Sequence, residues 1–257
     1  LSAIIVITFS ILVATQREGR RLLAEIKIQP GDNTVKDGED ISLSVTPLIE
    51  EIRDYSEHDD LKACHHFLFC LPQGGEPGRR ILVMGYNPGE TEWDWKTTNG
   101  KRAEETILHD FHENDRSTSS TKWMSNVRYF CGDAETYLTE FVFWSSPKVK
   151  DLKERIGPLN KHNQHIAFCT RMNKQLIKIL DPGLVIFTGV SSYNSVAQIY
   201  DLEKVEEGAM ANGQKLYIHG RSDDVDWIFS RHWTGSFGFP KEEKERLKNK
   251  ISVIMTL

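Results

Sequence analysis

The pattern of apolar and polar positions changes character near residue 79. Before it, residues 4–14 form an almost unbroken apolar run, followed by Arg17, Arg20 and Arg21 and then by polar sequence over 29–45. Turn-forming residues such as Pro30, Gly31, Asp32 and Asn33 give that second stretch the composition of a linker. A helix is predicted to open at Thr46, with Pro47 in its first turn and Glu50 and Glu51 following, and to run to about Ser56. Beyond Arg79, short apolar runs recur at 81–84, 141–144 and 184–187, each read as a buried strand. Phe168, Met172, Leu176, Ile179 and Leu180 fall at helical spacing over 167–180. Residues 216–218 and 225–229 are weaker strand candidates, and 242–250 reads as an amphipathic last helix. There is no internal repeat. Strands alternating with helical patterns predict an α/β fold: a three-layer α/β/α domain around a central, mainly parallel sheet of four to five strands. The predicted division is an N-terminal segment and linker over 1–45 and an α/β domain over 46–257.

Composition narrows the class. A chain of 257 residues with 39% hydrophobic and 27% charged residues has the material for a sizeable core, which excludes a wholly disordered polypeptide. The net charge of −5 gives no global attraction to nucleic acid, but it is unevenly spread. Residues 31–62 hold ten acidic side chains against three basic ones, whereas 145–178 hold eight basic against two acidic. A polyanion would be met by the second stretch. The four cysteines, at 64, 70, 131 and 169, lack CxxC spacing and fit reduced thiols in a cytoplasmic protein. The apolar start falls short of the roughly 18–20 residues that cross a bilayer. Its arginines follow the run, whereas a secretory signal carries them in front. A non-essential extension is expected, with a buried strand and weak membrane association through 1–14 as alternatives.

Three predicted strand ends carry suggestive residues, and in a parallel sheet chemistry collects at such ends. The first is Gly85-Tyr86-Asn87-Pro88-Gly89, which by itself is also an ordinary tight turn. The second is Phe143-Trp144-Ser145-Ser146-Pro147, and the third is Ser230-Arg231-His232-Trp233-Thr234-Gly235. Between the last two lies Asp181-Pro182-Gly183-Leu184-Val185-Ile186-Phe187-Thr188-Gly189. In this order the segments resemble the uracil-DNA glycosylase superfamily over roughly residues 80–240. Gly85-Tyr86-Asn87-Pro88-Gly89 is similar to the first loop of its mismatch-specific branch. Phe141-Val142-Phe143-Trp144-Ser145-Ser146-Pro147 is similar to the second-strand motif of the single-strand-selective branch. Ile166-Ala167-Phe168-Cys169 and the stretch 176–189 are similar to the iron–sulphur branch.

The resemblance implies hydrolysis of the N-glycosidic bond of uracil, or a related damaged base, flipped out of DNA, as in base-excision repair. Single-stranded or mispaired DNA would be the preferred partner, because flipping is cheapest there. Asn87 and His232 would be the catalytic residues. The Asn87 amide oxygen would hold the attacking water, more slowly than an Asp that also offers charge to the oxocarbenium. His232 would donate to the base oxygen, a role for which a neutral imidazole suffices. Gly85, Tyr86, Pro88, Gly89, Trp93, Trp144, Ser145, Trp233 and Thr234 would form the substrate-binding set, with backbone N–H groups near Tyr86 and Gly89 supplementing the histidine. Trp93 and Trp95 fit equally a stacking platform and core packing.

Two positions depart from the family pattern. Trp144 is read as occupying the place of the base-reading Asn, and an indole has one donor and no acceptor. Trp233-Thr234-Gly235-Ser236 follows His232 where the family has Pro-Ser, although Trp233 is large enough to wedge into a base stack. No cofactor is expected. Cys169 matches one cluster ligand of the iron–sulphur branch, but Ser145 lies near another ligand's place, and Cys64 and Cys70 are wrongly spaced, so no metal cluster is expected. The histidine pairs 65/66, 109/112 and 162/165 and the carboxylates Glu104, Glu105, Asp110 and Glu113 read as solvated surface groups. A monomer is expected. Two alternatives stand beside the enzyme: a non-catalytic nucleic-acid or modified-base binding module on the same fold, and an interaction protein held at a membrane by 1–14. No Gly-x-Ser-x-Gly elbow or glycine-rich phosphate loop supports a different hydrolase.

Overall fold

The computed structural model describes residues 41–61, 66–68, 76–88, 105–107, 121–222, 225–233 and 240–256, all in one contact unit, Thr34–Leu257. Its elements in chain order are α1 (Ile41–Tyr55), β1 (His66–Leu68), β2 (Glu76–Gly85), β3 (Glu105–Ile107), α2 (Thr121–Cys131) and β4 (Ala134–Glu140). These are followed by α3 (Val149–Ile156), α4 (Gln164–Leu180), β5 (Leu184–Thr188), α5 (Tyr193–Tyr200), β6 (Glu203–Ala209), β7 (Lys215–Ser222), β8 (Val225–Ser230) and α6 (Lys241–Thr256).

Side-chain alternation builds the layers. On β2, Leu82 and Met84 face one side of the sheet, while Ile81 and Val83 face the other. Val185 and Phe187 on β5, and Trp227 and Phe229 on β8, share the side of Leu82; Leu184, Ile186 and Ile228 share that of Ile81. Strands apolar on both faces need cover on both. Helices α1, α3, α4 and α5 supply it on the Leu82 side, and α2 and α6 on the Ile81 side.

The main sheet has six strands in the order β4-β2-β5-β8-β7-β6. The first four are mutually parallel, while β7 and β6 continue the sheet antiparallel beyond β8. The α/β class is as expected, but the sheet is mixed and larger than four to five strands. The extra strand, β6, is largely exposed on its side chains, so it carries no apolar pattern. A separate short parallel pair joins β1 and β3.

Two expectations need correction. Helix α1 begins at Ile41, inside the stretch read as linker, and Pro47 lies within it. Proline leaves the carbonyl four residues earlier without its helical donor. The buried stripe of Val45, Leu48, Ile49 and Ile52 holds the helix in place nevertheless. The second strand ends at Glu140, before the apolar run 141–144 in which it was expected. Those residues are buried as an irregular segment hung on the end of β2, with Phe141 N donating to Gly85 O at 2.8 Å and Val142 N to Tyr86 O at 3.0 Å. Continuous apolarity marks burial, and strand and buried loop share it.

Helix α4 shows clear local signals. The Asn163 side chain caps its start by accepting from the backbone N–H of His165 and Ile166. Asp181 ends it in the left-handed conformation at φ 46°, and Pro182 prevents continuation. Residues 1–40 lie outside the described residues, and with them the readings of the apolar start. Among the described residues no helix is long and apolar enough to cross a membrane.

Candidate functional site

The strand order sets a topological switch point beside β2, the place called the crevice below. From β2 the chain crosses to β4 on one side, then returns to β5 on the other. Loops leaving β2 and β5 therefore diverge, and such a switch point is where open α/β sheets leave room for a ligand. The residues at this end are Glu140 on β4, Gly85 with Tyr86-Asn87-Pro88 on β2, Thr188 and Gly189 on β5, and Ser230 with Arg231 and His232 on β8. Register ties them together: Gly85 pairs with Glu140, and Thr188 with Ser230.

Asn87 is half-buried, and its amide orientation is fixed by what it touches. Nδ2 donates to Ser146 Oγ at 2.9 Å and to Pro88 O at 3.0 Å, with Trp144 O at 3.5 Å. Carbonyl oxygens only accept, so the nitrogen must occupy that side and Oδ1 the other. Ser146 Oγ donates its own hydrogen bond to Lys148 O at 3.0 Å, and Ser146 N donates to Pro88 O at 3.1 Å. The amide is thus anchored through its donors, with its acceptor turned away from the anchor. Tyr86 packs its ring against Phe141 and Phe187, and burial raises its phenol above the ordinary value.

His232 is exposed at the end of β8 and is held by its neighbours' backbones. Arg231 N donates to Leu216 O at 3.2 Å. Asn126 Nδ2 donates to Trp233 O at 2.8 Å while Asn126 Oδ1 accepts from Lys244 Nζ at 2.8 Å. Desolvation lowers the His232 imidazole below its usual value, so it is neutral near pH 7. Only β5 separates β2 from β8, so at about 4.8 Å per strand their ends stand about 10 Å apart.

Glu140 is the residue that sequence reasoning missed. Its carboxyl lies across Gly85: a Cβ built on that glycine would sit 2.0 Å from Glu140 Oε2. Oε2 is buried without a hydrogen-bond partner. Burial raises the acid to about 8, so at neutral pH it is mostly un-ionised. The available signal was position alone: Glu140 falls in step with Thr136 and Leu138, both buried, four and two residues earlier on the same strand.

Other expected site residues are elsewhere. Trp144 is fully buried; its Nε1 donates to Ser56 Oγ at 3.2 Å, and its ring lies among Tyr55, His165 and Phe168. Its ring belongs to the core beneath α1 and offers no face to a base, which corrects its assignment as the base-reading position, while its carbonyl oxygen stays beside the Asn87 amide. Trp233 is 2% exposed and packs against Phe130 and Trp123 on the α2 side, so it is not positioned as a wedge. Ser145 is buried. Gly89, Trp93, Trp95 and Thr234 lie outside the described residues.

Among the described residues no group of three His, Cys, Asp or Glu could hold a metal ion. Cys169 is buried in the core, and burial raises its thiol; burial also raises the Cys131 thiol, there to about 12. The basic stretch does form a feature: an open concavity of about 530 Å³ on the outer side of α4, lined by Lys161, Arg171, Lys174 and Lys178. Two of the four are partly neutralised, Arg171 by Glu51 at 2.6 Å and Lys174 by Asp201 at 4.0 Å. No residue of this concavity belongs to the strand-end cluster. No family model matches the chain, and no curated protein matches it.

Proposed function

We propose that the chain is a DNA glycosylase-like hydrolase that cleaves the N-glycosidic bond of uracil or a related base flipped from single-stranded or mispaired DNA. The observation that supports this reading is the seating of Asn87 and His232 at the ends of β2 and β8, separated by β5 alone. The bond from C1′ to the base nitrogen breaks with its electron pair leaving on the base. Water adds to C1′, and its proton passes to solvent or to the departing anion. Asn87 orients that water through Oδ1, the side of the amide not engaged by Ser146 and Pro88. His232, neutral near pH 7, donates to the base oxygen as charge develops. The amide cannot take the proton, so turnover is slow relative to a carboxylate at the same place.

Incubation with uracil-containing single- and double-stranded oligonucleotides, followed by alkali cleavage, tests the proposal. Abasic sites are expected, with the rate reduced roughly 10²-fold by either Asn87→Ala or His232→Ala. Absence of abasic sites, or an unchanged rate in the double variant, ends the enzymatic reading. The basic concavity on α4 favours a second reading, a binding module that holds single-stranded nucleic acid without cutting. Salt-sensitive affinity without turnover in the same assay identifies it.

A further inference from the structure

A buried carboxyl with no partner is a costly feature to maintain. Nearly all buried polar side-chain atoms find a hydrogen bond, and those that do not need an explanation. Glu140 Oε2 is such an atom, on the last residue of β4 and one strand from the Asn87 loop. The fold makes room for it through Gly85, since any side chain there would strike the carboxyl 2.0 Å from its Cβ. A threonine or leucine at 140 would have avoided the desolvation cost altogether. A carboxyl kept in such a place at the ligand-binding end of a sheet is a functional candidate by its location and its unsatisfied chemistry together.

We propose that Glu140 determines which heterocycle the crevice accepts, pairing its carboxyl, one O–H donor beside one carbonyl acceptor, with the N–H and C=O of the cyclic-amide edge that uracil carries. The proposal rests on the glycosylase-like reading and names its specificity residue. Only the un-ionised acid has this donor–acceptor pattern; the carboxylate offers acceptors alone and repels the carbonyl of the base. Burial keeps the acid un-ionised at neutral pH, with no charged neighbour contributing. The groups on the surrounding elements do not titrate in the same range. On the Ile81 side, which Glu140 shares with Leu138, α2 carries Arg128, Tyr129 and Cys131, with the Tyr129 phenol held up by its hydrogen bond to Glu245 and the Cys131 thiol by burial, each to about 12. On the other face burial raises Tyr86, Tyr200 and Cys169. Arg80, at the far end of β2, is paired with Glu135. His232, beyond the end of β8 and three strand positions from β4, is already neutral at pH 7. From α4, Asn173 approaches only the backbone, donating to Glu140 O at 3.0 Å. Between pH 7 and 9, Glu140 is therefore the group of this cluster that ionises.

The test measures binding of the full chain, by fluorescence polarisation, to single strands carrying non-cleavable 2′-fluoro-2′-deoxyuridine or its N3-methyl derivative. With the acid near 8, the wild type should lose about tenfold affinity for the parent strand between pH 7 and 9. Glu140→Gln keeps a donor and an acceptor at both pH values, so its affinity should change little, and any ionisation of the base cancels in the ratio of the two proteins. N3-methylation removes the donor of the base and should cost the wild type tenfold or more at pH 7 and much less at pH 9. Gly85→Ala, which displaces the carboxyl, should weaken binding at pH 7. A wild-type to Glu140→Gln ratio independent of pH, or equal affinity for parent and methylated strands at pH 7, overturns the assignment of Glu140 alone. The methyl comparison uses only the wild type and decides the matter even if a variant misfolds. Absence of binding to any uracil strand, at both pH values and in every protein, overturns the glycosylase-like reading and this inference with it.

Discussion

Trp144 stabilises through position rather than chemistry. The indole has no solvent contact, its N–H is satisfied by Ser56 Oγ, and Ser56 in turn donates to Ile52 O at 2.8 Å. Replacing it with phenylalanine removes one hydrogen bond and one ring's worth of packing, a loss of about 2–3 kcal/mol. Ser56 keeps its other partner, so no buried hydroxyl is orphaned by the change. Trp144→Phe should therefore lower the melting temperature by several degrees and leave the affinity for a uracil strand within about threefold. Weakened binding at unchanged stability would return the ring to the crevice. Glu140 has the opposite character, with an unsatisfied oxygen in place of satisfied packing. The Trp144 ring and the Glu140 Oε2 are both out of solvent, yet one contributes to the fold and the other draws on it.

At the scale of elements, α1 is tied to α4 by a layered contact. Tyr55 stacks on Phe168 at 3.7 Å, and Tyr55 OH meets His165 Nδ1 at 3.2 Å while His165 Nε2 meets Asp60 Oδ2 at 2.6 Å. A carboxylate only accepts, so Nε2 donates to Asp60, and Nδ1 shares its hydrogen bond with the phenol. The Arg171–Glu51 pair on the same seam is about half exposed and adds at most about 1 kcal/mol. His165→Ala should cost about 2–3 kcal/mol and speed amide exchange in α1 and its following turn more than in β2 or β5. Uniform acceleration across the sheet would show that α1 is not a separately loosened unit. This seam also marks the limit of what could be read from the chain. The spacing of Phe168, Met172 and Leu176 announces α4, and the apolar runs announce β2 and β5, because burial on both faces writes itself into consecutive residues. His165 looked like a surface histidine, since its partners Tyr55 and Asp60 lie more than a hundred positions away. The strand end moved from Glu140 to Trp144 for the complementary reason: a buried irregular segment is as apolar as a strand. That Asn87 and His232 fall just past the ends of β2 and β8 was legible because turn chemistry and strand ends are local, whereas an unpaired carboxyl is a property of the space around it.

For the whole molecule, the same carboxyl couples fold stability to pH. A Glu raised from 4.5 to about 8 binds its proton more tightly in the native state than in the unfolded chain. Its contribution is complete below pH 4.5 and declines as pH rises toward 8, then levels off, because stability falls with pH wherever the native state holds more protons. The full shift corresponds to roughly 4–5 kcal/mol, and on the order of 3 kcal/mol after allowing for the partial exposure of the residue. At the acid end Glu206 acts in the other direction. Its hydrogen bond from Lys250 holds it below the usual carboxylate range, so that stabilisation exists above its unfolded value and disappears as pH falls through its folded one. The molecule is thus most stable in mildly acidic solution and gives up stability through the neutral range. In thermal melts the wild type should lose roughly 5–10 °C between pH 5 and 9, and Glu140→Gln should remove most of that slope and melt higher than the wild type at pH 9. Parallel curves for the two proteins would mean that Glu140 is ionised in the native state at neutral pH. The ligand dependence argued for the crevice would then fail for the same reason, since the stability decline over pH 4.5–8 and the affinity loss over pH 7–9 are two consequences of one proton.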